Sequence, residues 1–399
     1  MYVAKSTRAD YWARVARSSI LREVGRPDLP DSPQTPTNSQ FTSVLATRPT
    51  AAHAAVLHPA ANIPSYSVAS LTNLASSPAH LSRRRPPDNA SSFPANAVTT
   101  SAINMTDAQA VIDVLLEGTF ANHSAACRRG SIDLVQSPGR LIATGDLHDN
   151  PRHLATLISA AGMDQSATEL ESGGDVAHLT LHELIHGDNL MSGMDLSYRM
   201  LTKAADLKRR FPEHVHTLLA NHELAQISGA GIVKDGVRVV EAFNKGVEYV
   251  FGSDYDAVTE AINAFVRSMP LALRCRTPRG DILCAHSLPT AMAMGRFDTT
   301  ILSRELTPYD YEPRTGSAYL MVWGRHYDGG LLEDLVERWG INLFIVGHEK
   351  CDDGVMLVPP NAIVLNSDHA RGVYLPIDLE HPPRAEDAAR DVVAFANTR

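Results

Sequence analysis

Two rhythms of apolar residues run through the chain after residue 105, and neither is present before it. Between residues 31 and 104, 43 of 74 positions are Ser, Thr, Pro or Ala, with no sustained apolar period. Such a segment buries too little surface to offset the entropy of ordering. Residues 1–104 are therefore read as a disordered, low-complexity leader holding at most a short helix over 11–24. Structure is predicted to begin at Met105. Thr106 is placed to cap a helix on which Ala108, Val111, Ile112 and Leu115 share a face, and Gly118 suits its end. Residues 140–144 (RLIAT) read as a buried strand. Pro151 then opens a helix with Leu154, Leu157, Ile158 and Ala161 on one face, closed by Gly162. Further strands are predicted at 179–185, 215–219 and 343–346, and further helices at 195–210, 257–268 and 331–339. A Pro-Arg-Gly turn at 278–280 between apolar runs at 271–275 and 281–285 predicts a hairpin. Three strands close the series at 355–358, 362–365 and 373–378. Strands first alternate with helices and then follow one another, which predicts an α/β protein with helix-covered sheets.

Polar residues gather where these strands stop. Gly145-Asp146-Leu147-His148 follows the first strand, Gly187-Asp188-Asn189 the second, and Asn221-His222-Glu223 the third. His286 follows the hairpin, and Gly347-His348 follows the strand at 343–346. Ligands of layered α/β folds collect at strand ends of this kind.

The chain has 399 residues, 44% of them hydrophobic, enough for one large or two ordinary domains with a real core. The formal charge of −9 excludes a general nucleic-acid binder, which needs a basic footprint. No run approaches the roughly 18 apolar residues of a membrane span. Cys127, Cys275, Cys284 and Cys351 are too few and too scattered for a disulfide framework or a cysteine zinc site, so a cytoplasmic location is expected. Residues 1–104 carry +5 and the remainder −14. The leader is rich in Arg, Ser and Ala and poor in acids, the composition of an organelle transit peptide, which makes an organelle the alternative location. Two other readings stay open: a plain tail, or upstream sequence foreign to a protein that starts at Met105.

The strand-end residues suit a pair of divalent cations. A two-metal site draws oxygen and imidazole donors from several elements and needs a carboxylate to bridge the ions. Asp146 and His148, one residue apart, can address one ion from a single loop. Imidazole with carboxylate favours Mn, Fe or Zn over Ca.

Read in order, the pieces are GDLH (145–148), GDNLMSG (187–193), ANHE (220–223), AHS (285–287) and GHEK (347–350). Together they resemble the signature of the calcineurin-like metallophosphoesterase superfamily, most closely its Ser/Thr phosphoprotein phosphatase branch. FPEHVHTLLANHE, AINAFVRSMPLALRCRTPRGDILCAH and the run from CDDGVML to AIVLNSDHARGVYLPID also resemble that branch. The resemblance covers residues 138–380, leaving 105–137 as a helical lead-in and 381–399 as a C-terminal tail. It implies a four-layer α/β/β/α sandwich and two divalent metal ions. It also implies ligand roles: Asp146 and His148 on the first ion, Asp188 bridging, and Asn221, His286 and His348 on the second. A water or hydroxide between the ions would attack phosphorus in line, His222 would protonate the leaving oxygen, and Glu223 would orient the loop.

The sequence departs from that pattern in places. Met191 and Ser192 stand where protein phosphatases carry an Asp-Arg pair that orients the general-acid histidine and clamps phosphate. Both tasks must be met elsewhere. Arg325 (in Trp323-Gly324-Arg325) and His369 (in the loop at 366–369) are the candidate substrate contacts. Asp149 replaces a glycine and is read as the cap of the helix opening at Pro151. Lys350 stands where many members of the superfamily, though not this branch, have a second histidine. The expected activity is hydrolysis of a phosphomonoester, on a small molecule or a phosphoprotein. The alternatives are a nucleotide or dinucleoside-polyphosphate hydrolase and a non-catalytic, metal-binding regulatory module.

Overall fold

A computed structural model of the chain describes residues 103–165, 174–234 and 236–398. The predicted leader, with its helix over 11–24, lies outside the described residues except for Ile103 and Asn104. In chain order the strands are β1 (Arg128–Arg129), β2 (Ile132–Gln136), β3 (Arg140–Thr144), β4 (His178–Leu181), β5 (Val215–Thr217), β6 (Val233–Lys234) and β7 (Val237–Arg238). They continue with β8 (Ala272–Arg276), β9 (Asp281–Ala285), β10 (Ile341–Val346), β11 (Val355–Val358), β12 (Ala362–Leu365), β13 (Val373–Asp378) and β14 (Val393–Ala394). One sheet has the order β1-β2-β8-β9-β10-β12-β11, the other β14-β13-β3-β4-β5, and β6 pairs only with β7.

Alternation along the strands sorts side chains between two apolar layers. Leu141 and Ala143 of β3 face inward with Leu375 and Ile377 of β13. Across from them lie Leu273, Cys275, Ile282, Cys284, Ile345 and Ile363 of the other sheet. Ile142, Leu179 and Leu181 on one sheet, and Phe344 and Val364 on the other, face outward into apolar packing shared with the helices. Fully burying a Leu or Ile of this kind is worth about 1.5–3 kcal/mol. The order helix, sheet, sheet, helix is the four-layer α/β/β/α sandwich that the resemblance implies. All four cysteines are buried free thiols. Among the described residues no helix is long and apolar enough to cross a membrane.

Several boundaries differ from expectation. The first helix spans Ala108–Ser124 and is capped by Asp107, whose carboxylate accepts from the Ala110 amide, rather than by Thr106. It passes through Gly118, because a Cβ there would come within 2.8 Å of Ala205 Cβ on the helix Tyr198–Arg210. The glycine permits a close helix crossing instead of ending a helix. The helix Pro151–Ala160 is capped by Asn150, which accepts from the His153 amide at 3.1 Å, and not by Asp149. Residues 105–137 supply β2 to the larger sheet as well as a helix. Residues 381–398, expected as a tail, are folded: β14 pairs with β13, and Phe395 stacks on His153 at 3.9 Å. Two-residue strands carry too short an apolar period to be read from sequence.

Candidate metal centre

β3, β4 and β5 run parallel, as do β9, β10 and β12, so each set delivers its following loops to one edge. Asp146 joins the two edges. It forms parallel bridges to His182 beyond β4 and to Asn366 beyond β12. Its carboxylate accepts from the His348 amide, 3.0 Å from each oxygen, which ties the loop after β10 to the loop after β3. Gly347 makes this possible, since a Cβ there would run into the Asp146 carboxylate. Asn221, His222 and Glu223 form the first turn of the helix Asn221–Ser228, which begins after a three-residue link from β5. Of the eight non-glycine residues with left-handed φ among the described residues, five lie at this edge: His148, Asp149, Glu183, His186 and His348. Such backbone costs of order 1–3 kcal/mol per residue and clusters where a site dictates side-chain direction.

The donors converge on Glu183. His148 Nε2 lies 3.1 Å from Glu183 Oε1, and His286 Nε2 lies 2.8 Å from Glu183 Oε2. His286 Nε2 is also 2.7 Å from Asn221 Oδ1 and 3.1 Å from His348 Nδ1, while His286 Nδ1 is 3.4 Å from Asp146 Oδ1. Three buried groupings result: Asp146 with His182 and His286, His148 with Glu183 and His222, and Glu183 with His286 and His348. Within each, the potential ligand atoms lie within 4.8 Å of one another.

These groups fit divalent cations. A ring nitrogen carries at most one proton, so His286 Nε2 cannot satisfy an amide oxygen, a carboxylate oxygen and another ring nitrogen together. His348 Nε2 is buried without a hydrogen-bond partner. Lone pairs of oxygen and nitrogen that converge without enough protons are the arrangement a cation resolves. The charges tell the same story. Burial opposes charge on His148 and His286, yet the Glu183 carboxylate lifts them to about 9 and about 10, with Asp146 adding to both. Burial alone would raise the Glu183 carboxyl, but His286, His222 and His148 hold it well below its usual range. Protons on two histidines thus balance a carboxylate pair where cations would otherwise sit.

The structure brings together five of the six expected ligands: Asp146, His148, Asn221, His286 and His348. Asp188 is not among them. Its side chain is 68% exposed and pairs with Lys234 Nζ at 2.7 Å on the cavity rim. The carboxylate between the two groupings is Glu183. The reason is the length of β4, which stops at Leu181 and not at residue 185. His182 and Glu183 are therefore the first residues beyond the strand, and five more residues carry Asp188 to the surface. The signal was a charged pair inside an apolar run, overshadowed by the Gly-Asp that follows it. His182 was missed for the same reason. Its Nε2 donates to the Thr144 carbonyl at 2.9 Å, which leaves Nδ1 facing Asp146 Oδ1 at 3.5 Å.

His222 lines the same cavity, with Nε2 3.5 Å from Glu183 Oε1. A chain of side chains fixes its other nitrogen. The Gln226 amide nitrogen donates to Asn244, so its oxygen accepts from His186 Nε2 at 3.1 Å. His186 Nδ1 then accepts from His222 Nδ1 at 3.0 Å, leaving His222 Nε2 turned to the cavity. This tautomer assignment follows from the hydrogen-bond network. His186 thus fixes the ring of His222, for which Met191 offers no acid. Burial, reinforced by His222, depresses His186 to about 3, so it is neutral and able to accept. Glu223 is fully buried and accepts from the Leu184 and Ile185 amides at 2.7 and 3.3 Å, which anchors the loop that presents Glu183. Burial and the nearby Glu183 charge push Glu223 up to about 7.

A cavity of about 790 Å³ opens over these residues, walled by Trp323, Arg325 and the loop at 366–371. Arg325 is exposed, with Nη2 3.4 Å from His348 Nδ1. Gly324 brings it there, since a Cβ would collide with the Leu288 carbonyl. His369 lines the cavity too, but its ring is held by backbone: Nε2 lies 3.1 Å from the Cys351 carbonyl and Nδ1 accepts from the Arg371 amide. Asp149 packs beside Gly187 near Asp195, where burial and that second carboxylate raise it to about 6.

No family model matches the chain, and no curated protein matches it. Solved structures do. A protein serine/threonine phosphatase from Saccharomyces cerevisiae, described as similar to human phosphatase PP5, aligns over 68% of this chain and 83% of its own at 13% identity and a TM-score of 0.48. A cold-active protein-tyrosine phosphatase of a psychrophilic Shewanella species aligns over 67% and 81% at 14% identity and a TM-score of 0.45. The chain resembles the calcineurin-like metallophosphoesterases in the order of its strand-end motifs and in the two-sheet sandwich that gathers those strand ends at one centre.

Proposed function

We propose that this protein is a metal-dependent phosphoesterase that hydrolyses a phosphomonoester carried by a small molecule or a protein. The observation that supports this reading best is Glu183, whose two oxygens face separate groups of buried donors. Asp146, His148 and Glu183 would hold one divalent cation, and Glu183, Asn221, His286 and His348 a second. Bound there, such cations would supply Lewis acidity toward phosphoryl oxygens and would lower the pKa of water. The chain's own groups do the rest. His222, positioned by His186, presents Nε2 to the cavity; as the imidazolium, with Nδ1–H held by His186 and Nε2–H beside the Glu183 carboxylate, it gives the Nε2 proton to the departing oxygen and is left as the neutral ring. Arg325 meets a non-ester phosphoryl oxygen from the wall beside His348. Glu223 holds the Glu183 loop in place through its hydrogen bonds to two amides.

The test is turnover of p-nitrophenyl phosphate by protein stripped of metal and reloaded with Mn, Fe or Zn. A parallel panel of bis-p-nitrophenyl phosphate, phosphopeptides and diadenosine polyphosphates separates the substrate classes. Metal-dependent monoester hydrolysis that collapses in His222→Ala is the expected result. Equal background turnover in wild type and His222→Ala, with metal still bound to both, would make the protein a binding module.

A further inference from the structure

Four cationic side chains line the cavity among the described residues: Lys234, Arg325, Lys350 and Arg371. Two of them stand far out. Lys350 is 85% exposed beside Asp352, and Arg371 is paired with Asp353 at 2.8 Å. Lys234 differs in both place and enclosure. It comes from the β6–β7 hairpin, which leads into the helix Val239–Phe251, and its side chain is only 28% exposed. Ile232 and Val233 beside it form part of the same wall as His148, Glu183 and His222. Arg325 enters next to His348. The two cations therefore approach the centre beside different donor groups.

We propose that Lys234 binds the phosphoryl group of the substrate together with Arg325, and that Asp188 is its resting partner, displaced when the phosphate arrives. This rests on the phosphoesterase reading and deepens it: Lys234 supplies the clamp that the motif around Ser192 lacks. The Asp188–Lys234 pair lies at the rim with Asp188 largely in solvent, and an exposed ion pair of that kind contributes little. A phosphomonoester dianion offers two charges and three terminal oxygens to a lysine that has one solvated carboxylate to give up. A diester offers one charge and two such oxygens. Lys234 therefore favours monoesters, and Asp188 competes with them.

The experiment uses Mn-loaded full-length protein and measures inorganic phosphate binding by calorimetry, with KM and kcat for p-nitrophenyl phosphate alongside. Lys234→Ala is expected to weaken phosphate binding and raise KM by about tenfold or more, the worth of a charge-assisted hydrogen bond, with a smaller change in kcat. Its preference for p-nitrophenyl phosphate over bis-p-nitrophenyl phosphate falls with it, and Lys234→Arg restores most of both. Asp188→Asn, at an exposed position that does not endanger folding, is expected to tighten phosphate binding by about two- to fivefold. A hairpin residue with a purely structural role would not yield tighter binding on removal of its partner. The proposal is overturned if Lys234→Ala binds phosphate as wild type does, or if Asp188→Asn weakens binding or loses metal. Wild type that holds metal but neither binds phosphate nor hydrolyses the monoester overturns the phosphoesterase reading as well. Active wild type with indifferent variants overturns the role of Lys234 alone.

Discussion

Asp133 and Asp146 are both buried among histidines, one where β2 of the larger sheet meets β5 of the smaller, the other at the edge where the parallel strands end. By distance alone either could hold a cation, since Cys127, Asp133 and His216 come as close together as the groups around Glu183. Their electrostatics differ. Asp133 lies 3.0 Å from Arg128 Nε, 3.8 Å from Lys208 Nζ and 2.7 Å from His216 Nδ1, so fixed cations already balance it. Lys208 also donates to the Pro212 and Val215 carbonyls. Burial, reinforced by Asp133, pushes the Cys127 thiol up to about 12, which disfavours the thiolate form. Among the described residues no lysine or arginine is in salt-bridge contact with Glu183, whose ion pairs are all to histidines, and the balance falls to protons on His148 and His286. Proximity of metal-ligating residue types does not define a metal site. Lone pairs left without fixed partners do.

Substitutions at the two carboxylates separate these regions. Glu183→Gln should lower kcat/KM for a phosphomonoester by about 10²–10³-fold or more, because it removes the shared negative ligand. Asp133→Ala should leave metal content unchanged but destabilise the fold by about 3–5 kcal/mol, since it strands buried Lys208 and Arg128, and urea unfolding reads this directly. Loss of metal from Asp133→Ala with stability intact would invert the comparison.

The centre should also respond to pH in one direction. In the metal-free protein His148 and His286 keep their protons up to about 9 and about 10, above the ordinary histidine value. A cation must displace those protons, so apparent metal affinity rises with pH, by about tenfold per pH unit for each proton released. The same shifts stabilise the metal-free fold below the ordinary histidine value, and that contribution is lost as pH rises through 9 to 10. Metal titrations between pH 6 and 9 at fixed ionic strength check the first point. The smallest effect belongs to His186. His186→Ala frees His222 to rotate and should lower kcat about tenfold while KM and metal content hold.

Much of this was legible in the sequence because strand ends announce themselves. RLIAT followed by GDLH, and FIV followed by GH, place Asp146, His148 and His348 by strand period and length alone. Glu183 was hidden because LTLHELI is apolar enough to read as one strand through residue 185, while the chain leaves the sheet at Leu181. β2 was hidden for the opposite reason: Asp133 places a charge on a fully buried position of a short strand, and Arg128 across the β1–β2 pair, with Lys208 and His216 from far along the sequence, makes that tolerable. The hydrogen-bond chain from Asn244 through Gln226 and His186 to His222 joins residues on three segments, and no local pattern announces it.

Elemental analysis of three proteins purified alike tests the central claim most directly, that Glu183 and not Asp188 is the carboxylate shared between two cation positions. The account predicts two divalent ions per chain in wild type and in Asp188→Asn, and at most one in Glu183→Gln. Two ions retained by Glu183→Gln, with ions lost from Asp188→Asn, would contradict it.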